Sequence, residues 1–184
     1  MAERSSLVRL QREWDVRVEW NGYELHPETP PGGLPLAAYL PNAEGMLRHV
    51  AEFASRFGIA DLRPPERVAN TRRVLALAEH ARDLSRLEEL RAAAFDAYWR
   101  HGWCLEADGD LRAVARAAGL DPDAALAAAG SPALLARVDG ARRRAIDAGV
   151  TGVPTFDVGG TRVVGCQPYE VLAAAARRAG AERR

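Results

Sequence analysis

The residues of this sequence that could act as nucleophiles or metal ligands are few and widely separated. Its two cysteines, Cys104 and Cys166, have neither the spacing of a zinc site nor that of a redox Cys-x-x-Cys pair. The four histidines share no ligand spacing: His26, His49, His80 and His101. We therefore predict no metal site, and a lone thiol is the remaining candidate for covalent chemistry.

The stretch TGVPTFDVGGTRVVGCQPYEVL, residues 151–172, has the pattern of a β-hairpin followed by a helix. Gly159 and Gly160 suit a two-residue hairpin loop, because such turns need positive φ angles that glycine adopts without steric cost. Counting outward from that loop predicts these cross-strand pairs: Val158–Thr161, Phe156–Val163, Pro154–Gly165 and Val153–Cys166. The register therefore places the Cys166 thiol beside the Val-Pro bond.

Two interpretations of Cys166 follow from this placement. Cysteine packs well as a small apolar residue, and we favour that interpretation. The functional interpretation is a candidate catalytic thiol that can form a mixed disulfide but has no neighbouring cysteine to resolve it. Cys104 is predicted to be a core residue at a helix end, and we expect no disulfide between the two cysteines.

The elements around the hairpin predict an α/β fold. Leu7, Leu10 and Trp14 have helical spacing, and Val16–Leu25 alternates apolar and polar residues as a strand does. From about Asn42 to Ala148 the sequence is helical, with capping residues and glycines at the expected helix ends. A helix-strand unit followed by a hairpin and a helix favours a sheet with helices on its faces.

Composition and charge exclude several classes of function. The formal net charge is +0, whereas nucleic-acid and polybasic membrane binders carry an excess of positive charge. The first residues are charged, with no secretory signal, and no apolar run is long enough to span a bilayer. We therefore expect a cytoplasmic protein that binds neither nucleic acid nor membrane.

The segments GVTGVPTF and VVGCQPYEVL, on either side of the hairpin turn, resemble the C-terminal part of DsbA-like thioredoxin-fold proteins. The nearest branch resembles the FrnE-type DsbA oxidoreductases, which are kin to kappa-class glutathione transferases and 2-hydroxychromene-2-carboxylate isomerases. The resemblance implies a thioredoxin-like sheet, residues 1–34 and 149–184, with a large all-helical insertion, residues 35–148. It also implies a cis Val153–Pro154 bond and a binding loop with these residues: Thr151, Gly152, Val153, Pro154 and Gly165.

The sequence departs from that family at its start. Family members place a strand and a Cys-x-x-Cys motif, or a serine equivalent, before the first helix, where the helix terminus stabilises a thiolate. This chain has no such motif, and by the resemblance Met1 falls inside that helix, so the fold is expected to be N-terminally truncated. Ser5 and Ser6 lie near the motif's place, but serine is common at helix starts as a cap.

Three functional hypotheses follow from the resemblance. The first is that the protein is a thiol-disulfide oxidoreductase, and that the chain as given lacks the redox dithiol of the enzyme. The second is a non-redox member that binds a protein thiol or disulfide, or a small thiol, at the Val-Pro loop. The third is a glutathione-dependent isomerase or transferase, which would need a serine at the motif and bound glutathione. Apart from that glutathione, no cofactor is expected.

The absent first strand would leave strand edges open. In a thioredoxin-like sheet that strand lies between Val16–Leu25 and Thr155–Val158, and unpaired buried backbone groups cost about 1–3 kcal/mol each. Either Val16–Leu25 pairs with the hairpin directly, or a second copy of the chain covers the edges. We favour the second outcome, which predicts a homodimer.

Overall fold

The computed structural model describes residues 4–184, so the expected place of Met1 inside the first helix lies outside the described residues. The helices of this part are α1 Arg4–Glu13, α2 Leu36–Tyr39, α3 Ala43–Ser55, α4 Arg72–Asp83, α5 Leu87–His101, α6 Asp108–Ala117, α7 Pro122–Ala129, α8 Pro132–Asp147 and α9 Tyr169–Arg178. The strands are β1 Leu34–Pro35, β2 Arg67–Val68, β3 Thr155–Val158 and β4 Thr161–Val164. β1 pairs with β2 and β3 pairs with β4, both antiparallel.

The chain divides into two compact units. One consists of the residues up to Asn21 together with Ala145–Arg184, and the other is Gly22–Arg144. In the first unit, α1 and α9 pack together beside the hairpin. Its core consists of small and branched apolar side chains: Leu7, Leu10, Val163, Leu172, Ala175 and Ala176. Val163 belongs to this core because residues alternate between the two faces of a strand.

The strand predicted over Val16–Leu25 is wrong. Within the described residues this segment joins no β-ladder, although the predicted alternation of sides is present. Val16, Val18 and Trp20 pack against the core of the first unit, whereas Arg17 and Glu19 point to solvent. Alternation reports which side chains are buried, but a strand also needs a neighbour for its backbone, and this segment has none in the sheet. Direct pairing of Val16–Leu25 with the hairpin is therefore not observed.

The C-terminal residues pair with the chain just after α1. Trp14 forms an isolated antiparallel bridge with Arg183. The Asp15 N–H donates to the Glu182 carbonyl at 2.8 Å, and the Arg184 N–H donates to the Glu13 carbonyl at 2.9 Å. The second bond satisfies the Glu13 carbonyl, one of the carbonyl groups that helix geometry leaves without partners at the end of α1.

The second unit is predominantly helical, and α4, α5, α6 and α7 enclose its core. Its largest fully buried side chains are Leu77, Leu90, Leu111 and Val114. The helix ends follow ordinary capping chemistry: Asn42 Oδ1 accepts the Gly45 N–H at 3.0 Å, and Gly102 ends α5 with a φ of 69°. Among residues 4–184, no helix combines the length and apolar character needed to cross a membrane.

Within the second unit, side-chain hydrogen bonds attach the loop that follows Leu25 to residues near α4 and α6. Asn70 Nδ2 donates to the Thr29 carbonyl at 2.7 Å. The Glu106 carboxylate accepts the backbone N–H of Asn70 at 2.9 Å and that of Gly32. The loop is thus fixed by polar contacts to residues distant in sequence, which compensate for its lack of regular hydrogen bonding.

The hairpin turn makes a close contact that can be tested by a pair of glycine substitutions. A Cβ atom added at Gly159 would lie 2.3 Å from Cβ of Ala179, whereas one added at Gly160 would meet nothing within 4 Å. Both glycines have positive φ, 51° and 82°. We expect Gly159→Ala to lower the free energy of unfolding by about 1–3 kcal/mol more than Gly160→Ala, because only the former adds a steric clash. Urea denaturation of both variants measures this difference, and equal losses would contradict the observed packing.

Candidate functional site

The predicted binding loop lies at the open end of the β3–β4 hairpin. The Val153–Pro154 peptide bond is cis. The Gly165 N–H donates to the Pro154 carbonyl at 2.8 Å, so Pro154 and Gly165 are joined as the hairpin register requires. Thr155 Oγ1 donates to the Gly152 carbonyl at 2.6 Å and closes a tight turn around the Val-Pro bond.

The register of the hairpin agrees with the count made from the Gly-Gly turn. The observed pairs are Thr155–Val164, Phe156–Val163, Asp157–Arg162 and Val158–Thr161. A shift of one residue would have moved every side chain to the opposite face. The register therefore brings the segment 151–154 beside Gly165 and Cys166.

Two valines make the loop an exposed apolar surface. Val153 is 48% exposed and Val164 is 50% exposed. Within residues 4–184, the backbone N–H and C=O of Val153 form no hydrogen bond. A ligand can therefore pair with the backbone of Val153 while its side chains contact both valines.

The two cysteines differ in place and in chemistry. Cys166 is half-buried, is not part of a disulfide and directly follows Gly165. Cys104 lies in the second unit. Burial raises the pKa of its thiol above the usual value, and the negative charge of Glu106 raises it further. Because the thiolate is the nucleophile, Cys104 is the poorer candidate for exchange chemistry. Neither cysteine is part of a disulfide, as expected.

Arg162 fixes the chain that leads into the loop, and the sequence reasoning did not identify this residue. Its guanidinium makes two hydrogen bonds to the facing Asp157 carboxylate, at 2.8 and 3.1 Å, and donates to the Ala148 carbonyl at 2.5 Å. The same ion pair lowers the pKa of Asp157. The register counted from the Gly-Gly turn already places Asp157 opposite Arg162, so this ion pair could have been predicted from the sequence.

A second polar cluster fixes the start of α9, just beyond Cys166. Glu13 accepts hydrogen bonds from Arg9 Nε and from the Tyr169 hydroxyl, each at 2.7 Å, and Trp14 Nε1 donates to that hydroxyl at 3.1 Å. The Arg9 guanidinium also lies 3.8 Å from the centroid of the Tyr169 ring. The bonds from Arg9 and Tyr169 lower the pKa of Glu13 from 4.5 to about 2.

Metal ligation is not indicated by the side chains of residues 4–184. No group of three or more His, Cys, Asp or Glu side chains comes together there as a coordination shell. The polar atoms beside the Val-Pro loop include backbone groups, the Thr151 and Thr155 hydroxyls and the Cys166 thiol, which suit a peptide or a thiol compound more than a cation.

The fold and the loop define a thioredoxin-like protein, and comparison with known proteins identifies its family. The family model of the DSBA-like thioredoxin domain matches residues 2–177, so the chain belongs to that family. The family is one of thiol-disulfide oxidoreductase-like proteins. The fold is the DsbA type of thioredoxin-like α/β fold with helices beside small sheets.

A solved structure supports the same assignment. The crystal structure of a probable DsbA oxidoreductase from Streptomyces coelicolor is similar to this chain, with a TM-score of 0.74 and 27% sequence identity. The similarity covers 87% of this chain and 74% of that one. No curated protein matches the sequence of this chain.

The Glu13 cluster predicts a dependence of stability on pH. The folded-state pKa of Glu13 is depressed, so its contribution is present above the unfolded-state value near 4.5 and is lost as the pH falls toward 2. We expect Glu13→Gln to be less stable than the wild type at pH 7, and this difference to shrink between pH 5 and pH 3. Urea unfolding of both proteins across this range measures it.

Glu19→Gln is the control for this experiment, because the Glu19 side chain is 62% exposed and pairs only loosely with Arg17, at 3.4 Å. We expect this variant to differ little from the wild type at every pH. A constant difference between Glu13→Gln and wild type from pH 7 to pH 3 would show that the carboxylate charge is not what stabilises the start of α9.

Proposed function

We propose that this protein binds cysteine-containing polypeptides at the Val153–Pro154 loop and takes part in thiol-disulfide exchange with them. The observation that supports this proposal best is the loop itself. Within residues 4–184 the backbone N–H and C=O of Val153 form no hydrogen bond, the side chains of Val153 and Val164 are half-exposed, and the nearby Cys166 is not part of a disulfide. Family membership adds the class of chemistry, since the chain belongs to the DSBA-like thioredoxin domains.

Cys166 is the residue through which exchange would occur in this chain. Its thiolate attacks one sulfur of a substrate disulfide, so that a bond forms between Cys166 and that sulfur while the substrate S–S bond breaks. The second substrate sulfur leaves as a thiolate and takes up a proton. No second cysteine neighbours Cys166 in the sequence, so an external thiol must resolve the mixed disulfide. Its thiolate attacks the substrate sulfur, so that a new S–S bond forms there while the bond to Cys166 breaks and Cys166 leaves as a thiolate.

The two parts of the chain would have separate roles under this proposal. Residues 1–34 and 149–184 would form the thioredoxin-like domain that holds the loop. Residues 35–148 would form the inserted helical domain, and the compact unit Gly22–Arg144, which includes most of this range, supports such a division. Insertions between the elements of a binding fold commonly adapt it to its substrates.

A substitution at Val153 tests the peptide-binding role. In a Cys104→Ser background, we expect the uncharged substitution Val153→Asn to slow the reaction of Cys166 with a disulfide-activated cysteine nonapeptide about tenfold, equivalent to about 1.4 kcal/mol of lost apolar contact. The reaction with the small reagent 5,5′-dithiobis(2-nitrobenzoate) should be unchanged. Release of the chromophoric thiol measures both rates.

Val171→Asn is the matched control, since Val171 is also an exposed valine, at 37%, but lies on helix α9. Both of its rates should equal those of the parent protein. The proposal fails if Val153→Asn slows the peptide and the small reagent equally, or if Cys166 reacts with neither. A preference for glutathione disulfide over the nonapeptide would favour the glutathione-dependent hypothesis instead.

A further inference from the structure

The residue pair Asn21–Gly22 lies where the chain passes from one compact unit to the other. The first unit includes the residues up to Asn21, and the second begins at Gly22. The chain returns to the first unit after Arg144, and that crossing lies inside helix α8. The Asn21–Gly22 bond is therefore the crossing, within residues 4–184, that no helix encloses.

The side chain of Asn21 is exposed and is not held by neighbouring groups. Within the described part of the chain, neither its amide group nor the backbone N–H of Gly22 forms a hydrogen bond. Asparagine side chains commonly bond to nearby backbone, and the other two asparagines of the sequence, Asn42 and Asn70, both do so. The carboxamide of Asn21 can therefore rotate toward the residue that follows it.

The residue that follows Asn21 presents its backbone nitrogen without steric protection. A Cβ atom added at Gly22 would lie 3.0 Å from Cδ2 of Leu75, so close packing in the second unit favours a residue without a side chain there. The missing Cβ also leaves the Gly22 nitrogen accessible from the Asn21 side chain. The same packing constraint thus places the most permissive residue next to an unrestrained asparagine.

We propose that Asn21–Gly22 is a site of spontaneous deamidation. The Gly22 nitrogen loses its proton and attacks Cγ of Asn21, so that a ring closes while the bond from Cγ to Nδ2 breaks and ammonia leaves. Water then opens the cyclic imide at one of its two carbonyl carbons. Opening at Cγ gives aspartate, and opening at the backbone carbon gives isoaspartate, in which the main chain runs through Cβ and Cγ.

The modification changes a connection that is anchored on both sides. Trp20 packs against the core of the first unit, and Glu24 is buried in the second, where its carboxylate accepts a hydrogen bond from Arg72 at 3.1 Å. Both products add a negative charge to a chain whose formal net charge is +0. Isoaspartate also adds one backbone atom between the two anchors, so the chain there must shift to accommodate it.

Incubation of the 184-residue protein at 37 °C and pH 8 tests the site. Peptide mass spectrometry locates the conversion of amide to acid, and enzymatic methyl transfer from S-adenosylmethionine measures isoaspartate. We expect Asn21 to convert about as fast in the folded protein as in a synthetic peptide of residues 19–25. The rate should fall at pH 6, because the attacking nitrogen must first lose its proton.

Gly22→Ala is the matched variant, and it is made in both the protein and the peptide. We expect it to slow the conversion of Asn21 about tenfold in each, because the added Cβ obstructs the attacking nitrogen. Asn42 and Asn70 are internal controls that should stay intact while Asn21 converts. The inference is overturned if Asn21 persists in the folded protein while the peptide converts, or if Asn42 or Asn70 converts first.

The anchored connection is tested separately with the purified isoaspartyl form. Anion exchange separates this form from the unmodified protein because of its added charge. Asn21→Asp carries the same charge without the extra backbone atom and is the control. We expect the isoaspartyl form to unfold at a lower urea concentration than Asn21→Asp, and equal midpoints would overturn the claim that both sides of the connection are held.

Discussion

The register of the β3–β4 hairpin is the constraint on which the rest of the site depends. Two glycines with positive φ close the turn, and every later pairing follows from it. The same register turns Val163 into the core, leaves Val164 exposed and joins Pro154 to Gly165. Because side chains alternate with a period of two, a shift of one residue would expose Val163 and turn Val164 toward the core.

Polar contacts hold the two chain segments that flank this hairpin. On one side, Arg162 connects Asp157 to the Ala148 carbonyl and so fixes the approach to the loop. On the other side, Glu13 and Trp14 hold the Tyr169 hydroxyl and fix the start of α9. Side chains that are themselves held in place by neighbours position a binding surface more accurately than loop backbone alone can.

The sequence predicted local features well and features that depend on distant partners poorly. The hairpin pairs and the Asn42 cap depend on turn and capping chemistry that neighbouring residues contain. The strand predicted at Val16–Leu25 was wrong because alternation indicates burial, while a strand also needs a neighbour. The two-residue strands β1 and β2 and the Glu106 contacts depend on residues far apart in sequence, and no periodic pattern marks them. The resemblance identified the family, whereas the place of Arg162 and Tyr169 came from the structure.

The central claim is that the register of the β3–β4 hairpin joins Pro154 to Gly165 and so positions the Val-Pro loop, and amide hydrogen exchange measured by NMR tests it most directly. The account predicts slow exchange at Phe156 and Val158, whose N–H groups bond to β4, and at Gly165, whose N–H bonds to the Pro154 carbonyl. Fast exchange at Gly165, together with faster exchange at Phe156 and Val158 than at Thr155 and Asp157, would contradict the register.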